Sequence, residues 1–255
     1  MEMITSAKNP MLRDMKALSQ RKGREAQGRL LVEGEVMIRE ALKCGLVIRE
    51  ALVTEAKADL AQTLEAAGAR VAQVPEGLLA GVCDTRTPQG VCATFDLPAP
   101  LPLSDAPAKI VALDGVQDPG NVGTIWRTAD AAGFDAILLG AQCADPLSPK
   151  VQRAAMGSGF RVPFMVTEDL PASLEAMKDR GWTVLASDLH GYDFYRRPSP
   201  GERFILVIGS EARGISQATR LAADMLLRLP MRGGAESLNA AVAAGIMMYE
   251  LTKDM

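Results

Sequence analysis

The 255-residue chain has only four cysteines, one histidine and no long apolar run, and each shortage excludes a class of protein. Cys44, Cys83, Cys92 and Cys143 are far apart and form no C-x-x-C. Neither a disulfide framework nor a zinc knuckle is expected, and a reducing, cytoplasmic location fits. His190, in Ser187-Asp-Leu-His-Gly-Tyr192, is the one imidazole. It cannot by itself make a histidine metal site, so no metal is expected, and it reads as a loop or surface residue. The longest apolar stretch, Ala240 to Tyr249, is well short of the ~20 residues that span a bilayer. The opening Met1-Glu-Met-Ile-Thr-Ser-Ala-Lys8 lacks the basic-then-apolar layout of a signal peptide. Also missing are G-x-G-x-x-G and G-x-x-x-x-G-K-[ST], the two common phosphate-cradling fingerprints.

What is present is globular composition, with 48% hydrophobic and 23% charged residues. That is enough to bury one large core or two modest ones. The net charge of −3 argues at first against a polyanion-binding protein. Its distribution reverses that inference. Residues 1–30 carry Lys8, Arg13, Lys16, Arg21, Lys22, Arg24 and Arg29 against Glu2, Asp14 and Glu25, a net +4, while 31–107 sum to −5 and 108–255 to −2. Such a run is either a solvated helical face or an arm that touches phosphate.

Leu97-Pro-Ala-Pro-Leu-Pro-Leu-Ser-Asp-Ala-Pro107 is too rich in proline for helix or central strand and reads as a linker. It divides a small α/β domain (1–96) from a larger one (108–255). In the first, Pro10–Arg29 reads as polar helix and Gly34–Cys44 as amphipathic helix. Ala56–Ala67 reads as a helix closed by Gly68, and Val47–Val53, Val71–Val74 and Gly90–Phe95 as strands. In the second, strand-like runs at Ile110–Leu113, Ala136–Leu139, Val162–Val166, Thr183–Ala186, Phe204–Ile208 and Met225–Leu229 alternate with helical segments. Those segments are Thr124–Ala132, Ser148 to Gly157, Leu170–Arg180, and a final helix opened by Ser237 and running to Leu251. The alternation predicts a largely parallel sheet with helices on both faces.

In such sheets ligands sit beyond the carboxyl ends of the strands. Three loops there are loaded with glycine and polar residues: Asp114 to Arg127, Gly209-Ser-Glu-Ala-Arg-Gly214 and Met231 to Asn239. Glu211 would repel a pyrophosphate, so a cationic or neutral ligand suits the second loop better than a dinucleotide. Asn121-Val-Gly-Thr-Ile-Trp-Arg127, Gly209-Ser-Glu-Ala-Arg-Gly-Ile-Ser216 and Leu229-Pro-Met followed by Glu236-Ser-Leu-Asn239 resemble, in order, the three motifs of the SpoU (TrmH-like) branch of the SPOUT RNA methyltransferases. The likeness runs from about Lys109 to the C-terminus. Ile4-Thr-Ser-Ala-Lys-Asn-Pro10 and Leu31-Val-Glu-Gly-Glu35 are similar to the substrate-binding domain found ahead of it, a ribosomal-protein-L30e-like fold.

The resemblance implies S-adenosylmethionine-dependent methylation of a ribose 2′-hydroxyl in RNA, with ribosomal RNA preferred to transfer RNA. It also implies a C-terminal trefoil knot, a donor site carried over to Gly209, Leu229 and Leu238, and a homodimer whose site combines both chains. A ribose hydroxyl is a poor nucleophile and the donor is already activated, so the protein must align the two and handle one proton. The family points to Arg127, whose guanidinium forks well onto phosphate but is a poor base, leaving phosphate to help take the proton. Asn121, Ser237 and Asn239 are suited to orienting a hydroxyl or fixing Arg127, with Ser237 also able to cap the final helix. Glu211 is expected to hold Arg127 or a backbone amide. Arg21, Lys22 and Arg24 are read as RNA contacts, and Lys150, Arg153 and Arg161, flanking Gly157-Ser-Gly159, as lining the RNA approach. The competing readings are a non-catalytic RNA-binding assembly factor on this fold and a nucleotide-dependent enzyme on a doubly wound sheet.

Overall fold

The computed structural model describes residues 1–85 and 87–253. The chain forms two compact units, residues 1–99 with 147–149, and residues 100–146 with 150–255.

The first unit runs β1 (Glu2–Met3), α1 (Pro10–Ala17), α2 (Arg21–Gln27), β2 (Arg29–Glu33), α3 (Glu35–Lys43), β3 (Ile48–Val53), α4 (Ala61–Ala66), β4 (Arg70–Gln73), α5 (Glu76–Val82) and β5 (Val91–Asp96). Its five-stranded sheet has the order β1-β4-β3-β5-β2 and is mixed, because β5 pairs antiparallel with both neighbours. The polar helix expected over Pro10–Arg29 is broken. Asn9 caps α1 from its side chain, α2 ends at Gly28 with φ +62°, and Arg29 already begins a strand. The charged face of Pro10–Arg29 hid the alternating burial of Leu30 and Val32.

The second unit continues with β6 (Lys109–Asp114), α6 (Pro119–Ala131), β7 (Ala136–Leu139), α7 (Pro149–Ala155), α8 (Ser158–Arg161), β8 (Phe164–Val166), α9 (Leu170–Lys178), β9 (Thr183–Asp193), β10 (Phe204–Gly209), α10 (Gln217–Ala222), β11 (Met225–Arg228) and α11 (Ala240–Thr252). All five strand pairings of its sheet, order β11-β9-β10-β6-β7-β8, are parallel. Every residue of β7, and Phe204 to Ile208 of β10, is buried, as a parallel sheet covered on both faces requires. The proline-rich segment is held along this unit from Leu101 onward. The Leu101 amide donates to the Phe164 carbonyl (2.7 Å), Arg180 donates to the carbonyls of Leu103 and Ser104, and the Trp182 indole to that of Pro107.

One strand departs from regular pairing in a way that shapes the site. β11 matches Ala186 with Leu226 but Tyr192 with Leu227, so Ser187–Gly191 is looped out of β9. A Cβ on Gly191 would overlap the Leu226 backbone. Glycine is needed for the chain to return so close to its neighbour. Among the described residues no helix is long and apolar enough to cross a membrane.

Candidate active site

The first motif is helical where a loop was expected. Asp118 accepts the Asn121 amide (2.8 Å) and Pro119 occupies the first helical position, so α6 starts five residues before Thr124. Aspartate before proline is a helix-start signal that the surrounding glycines obscured. Within the helix, Gly123 has no room for a Cβ against Ala154 and the Val151 carbonyl. Asn121 thereby projects from the first turn of a rigid element.

The second motif is a closed hairpin. Ser210 and Gly214 exchange both backbone hydrogen bonds (3.1 and 2.8 Å), with Gly214 at φ +66°. A Cβ on Gly209 would overlap the Gly214 carbonyl carbon and the Ile215 amide nitrogen. Asp114, at the end of β6, accepts the Ser216 amide (2.7 Å) and pins the far side of the loop. The third motif ends in the cap of α11, and that cap is Asn239. Its Oδ1 accepts the amides of Ala241 (2.9 Å) and Val242 (3.3 Å). The expectation that Ser237 opens this helix is corrected. Ser237 lies before the cap, where it lines the cleft described below.

The three motifs meet through side chains. Asn121 Nδ2 donates to Glu211 Oε1, and Asn239 Nδ2 donates to Asn121 Oδ1 (3.0 Å). Among the described residues Glu211 therefore holds Asn121, not Arg127 or a backbone amide. Beside this chain of bonds opens a cleft of about 300 Å³, lined by Gly209, Glu211, Leu229, Ser237 and Leu238, all singled out in the sequence. Ile208, Met231 and Ala243 give it apolar wall. The looped-out Ser187–His190 and Arg220 also line it, and no motif pattern flagged them. Only the strand irregularity brings His190 there.

Arg127 stands apart. It is exposed on α6, and its guanidinium makes no hydrogen bond or ion pair with the described residues. Arg161 is tied to Asp130 (2.7 Å), whereas Lys150 is exposed. In the first unit Arg24 corrects an expectation. It is 3% exposed, and its guanidinium donates to the carbonyls of Leu18 (3.0 Å) and Ser19 (3.3 Å), closing the turn between α1 and α2. A buried, carbonyl-bound guanidinium is not available to phosphate. Arg21, paired with Glu25 (2.7 Å), and Lys22 remain on the surface.

Residues 108–249 match the SpoU rRNA Methylase family, more than half of the chain. The chain belongs to the SpoU family. Residues 9–93 of this SpoU protein match the MRM3-like substrate binding domain. It is 38% identical over 251 residues to the 23S rRNA (guanosine(2553)-2′-O)-methyltransferase RlmP of Bacillus subtilis, covering 98% of this chain and 99% of the relative. It is 33% identical over 179 residues to the 23S rRNA (guanosine-2′-O-)-methyltransferase RlmB of Pseudomonas putida, covering 70% and 72%. An AdoMet-bound rRNA methyltransferase from Sinorhizobium meliloti superposes with a TM-score of 0.88 at 34% identity, over 100% of this chain and 98% of that one. The SpoU methyltransferase AviRb from Streptomyces viridochromogenes, in complex with AdoMet, gives 0.84 at 28%, over 97% and 98%. The SpoU resemblance carried by the three motifs is borne out.

The cleft suits S-adenosylmethionine. Its volume lies at the lower end of the range for small-molecule sites. Apolar wall from Ile208, Leu229, Leu238 and Ala243 can take an adenine, and Gly209 and Gly214 leave the backbone of their loop bare of side chain.

Proposed function

We propose that this SpoU protein transfers the methyl group of S-adenosylmethionine to a ribose 2′-hydroxyl of ribosomal RNA. The observation that carries the reading is the Glu211–Asn121–Asn239 chain, which ties all three motifs together at the rim of the cleft. The RlmP and RlmB likenesses favour ribosomal over transfer RNA. Bound in the cleft, the donor supplies an electrophilic methyl carbon. The protein's part is alignment, water exclusion and placement of one proton. Gly209, Leu229 and Leu238 would hold the donor. Asn121 and Asn239, fixed by Glu211, present amide groups that orient the incoming hydroxyl, with Ser237 beside them. Arg127 grips the neighbouring phosphate by its fork and stabilises charge as the hydroxyl proton leaves toward phosphate oxygen or solvent.

The detached position of Arg127 supports a homodimer with a composite site. Val242, Ile246 and Tyr249 are exposed at i, i+4 and i+7 of α11, one apolar stripe on a helix whose other face is buried. Gly245 of α11 packs on Thr128 of α6, next to Arg127, so a second copy seated on the stripe would bring Arg127 toward the partner's cleft. The trefoil knot of SPOUT proteins belongs to the same reading. The first unit is read as the RNA-holding domain, with Arg21 and Lys22 as phosphate contacts. Cys44, Cys83, Cys92 and Cys143, none of them in a disulfide among the described residues, fit a reducing, cytoplasmic setting.

The test is methyl transfer from radiolabelled S-adenosylmethionine to purified ribosomal and transfer RNA, followed by mapping of 2′-O-methyl positions. Transfer to ribosomal RNA is expected, with Arg127→Ala abolishing it while sparing donor binding. Label in transfer RNA alone would overturn the substrate, and absence of donor binding would overturn the activity.

A further inference from the structure

Asp188 is a charged group in an unusual place. It sits on the segment looped out of β9, with its side chain 3% exposed. One carboxylate oxygen meets Arg220 Nη2 at 2.5 Å, and the other accepts the His190 amide at 2.8 Å. Buried ion pairs of this kind contribute little stability beyond what apolar residues of the same volume would give. A pair placed in the wall of a ligand cleft therefore calls for another reason. Arg220 supplies it. Its side chain is 31% exposed, it lines the cleft, and it carries five N–H donors, with only Nη2 described on Asp188. It stands on α10, directly after the glycine hairpin, where Ser216 caps the helix through the Thr219 amide (3.1 Å). Asp188 thus holds the guanidinium in one orientation before any ligand arrives, which lowers the entropy cost of using the remaining donors.

The other charged groups of the cleft are otherwise disposed. Glu211 is bonded to Asn121, and Arg213 reaches toward Gln142 (3.4 Å). Arg228, on β11, has no carboxylate orienting it among the described residues. The donor's sulfonium and ammonium groups would be repelled by a guanidinium, and its adenosine is neutral. Its α-carboxylate is the one group with a charge that Arg220 attracts. We propose that Arg220, oriented by Asp188, is the subsite for the carboxylate of the donor's amino-acid tail. The inference rests on the methyltransferase reading and extends it to a residue outside the three motifs.

Calorimetry with S-adenosylmethionine and with decarboxylated S-adenosylmethionine, which keeps the adenosine, sulfonium and amine, isolates the carboxylate. The wild-type protein is expected to bind the decarboxylated compound about ten- to a hundredfold more weakly, the range for a charge-assisted hydrogen-bonded contact. In Arg220→Gln the two compounds should bind alike, through weaker binding of S-adenosylmethionine alone. Arg220→Lys, which keeps the charge without the fork, should narrow the gap without closing it, and serves if the Gln variant does not fold. Equal binding of both compounds by the wild type overturns the proposal. So does a gap that survives in Arg220→Gln, or one that closes in Arg228→Gln instead. No binding of either compound by the wild type would refute the methyltransferase reading itself.

Discussion

Asn239 performs two jobs that can be separated by substitution. Its Oδ1 caps α11, and its Nδ2 reaches Asn121, which in turn is held by Glu211. Asn239→Ala removes both. Loss of the cap costs about 1 kcal/mol, in a range of roughly 0.5–2. Loss of a neutral, exposed hydrogen bond adds about 0.5–1 kcal/mol. For a chain of this size each kcal/mol corresponds to about 2–4 °C in Tm, so a drop of about 3–8 °C is expected. Asn239→Asp keeps an equally good cap, in the favourable field of the helix N-terminus. It cannot donate to Asn121, however, and it sets a second carboxylate near Glu211. Its Tm should fall by only about 1–4 °C, the share of the lost Asn121 bond. Its kcat/KM should still fall about three- to tenfold or more, because the alignment of Asn121 is lost. The assays are calorimetric unfolding and single-turnover methyl transfer on ribosomal RNA. If Asn239→Asp restores both Tm and kcat/KM to wild-type values, Asn239 is a cap only, and the reading of the three-residue chain as a site fails.

Further outcomes are expected. Gly209→Ala must displace the Gly214–Ile215 backbone, so donor affinity should drop at least tenfold, with a stability loss of about 1–3 kcal/mol. Unchanged calorimetric binding would show that the hairpin is not part of the donor site. Ile246→Asp, in the middle of the exposed α11 stripe, should yield monomers by light scattering and lose methyl transfer. A dimer that persists places the interface elsewhere. Neutralising Arg21 and Lys22 together to Gln should lower RNA affinity and reduce the salt slope by about 1 to 2, leaving donor affinity intact. An unchanged slope would remove both residues from the RNA surface.

Much of the site was readable because its parts lie in three short segments, each with local chemical character. Asn121, Glu211 and Asn239 are polar groups in glycine-rich strand-end segments, and their convergence follows once those ends share one edge of a parallel sheet. What escaped reading depends on long-range packing. Arg24 counted toward a basic arm, yet a charge sum cannot tell a solvated guanidinium from one bonded to the Leu18 and Ser19 carbonyls. Ser237 and Asn239 are both good caps, and only the backbone path decides that Asn239 Oδ1 meets the helix amides. The Asp188–Arg220 pair joins positions 32 residues apart, in a looped-out segment and a helix with no motif signature.

The looped-out segment also explains where the cleft lies. Strand order reverses between β6 and β10, and a doubly wound sheet would place its ligand in the crevice at that point. A polar hollow does exist there, lined by Asp114, Gln142, Glu168 and Arg213. The cleft that gathers the motif residues lies on the other side of the Ser210–Gly214 hairpin, bordered by segments that leave β9, β10 and β11. Ser187–Gly191 departs from its pairing with β11 and forms one wall, while the chain after Leu229 turns back through Met231 and Leu238 to form another. The motif residues thus gather at the strand ends but not at the reversal of strand order. An interruption of pairing inside β9 opens the candidate cleft on the β9 and β11 side of β10 instead, with Asp188 in its wall.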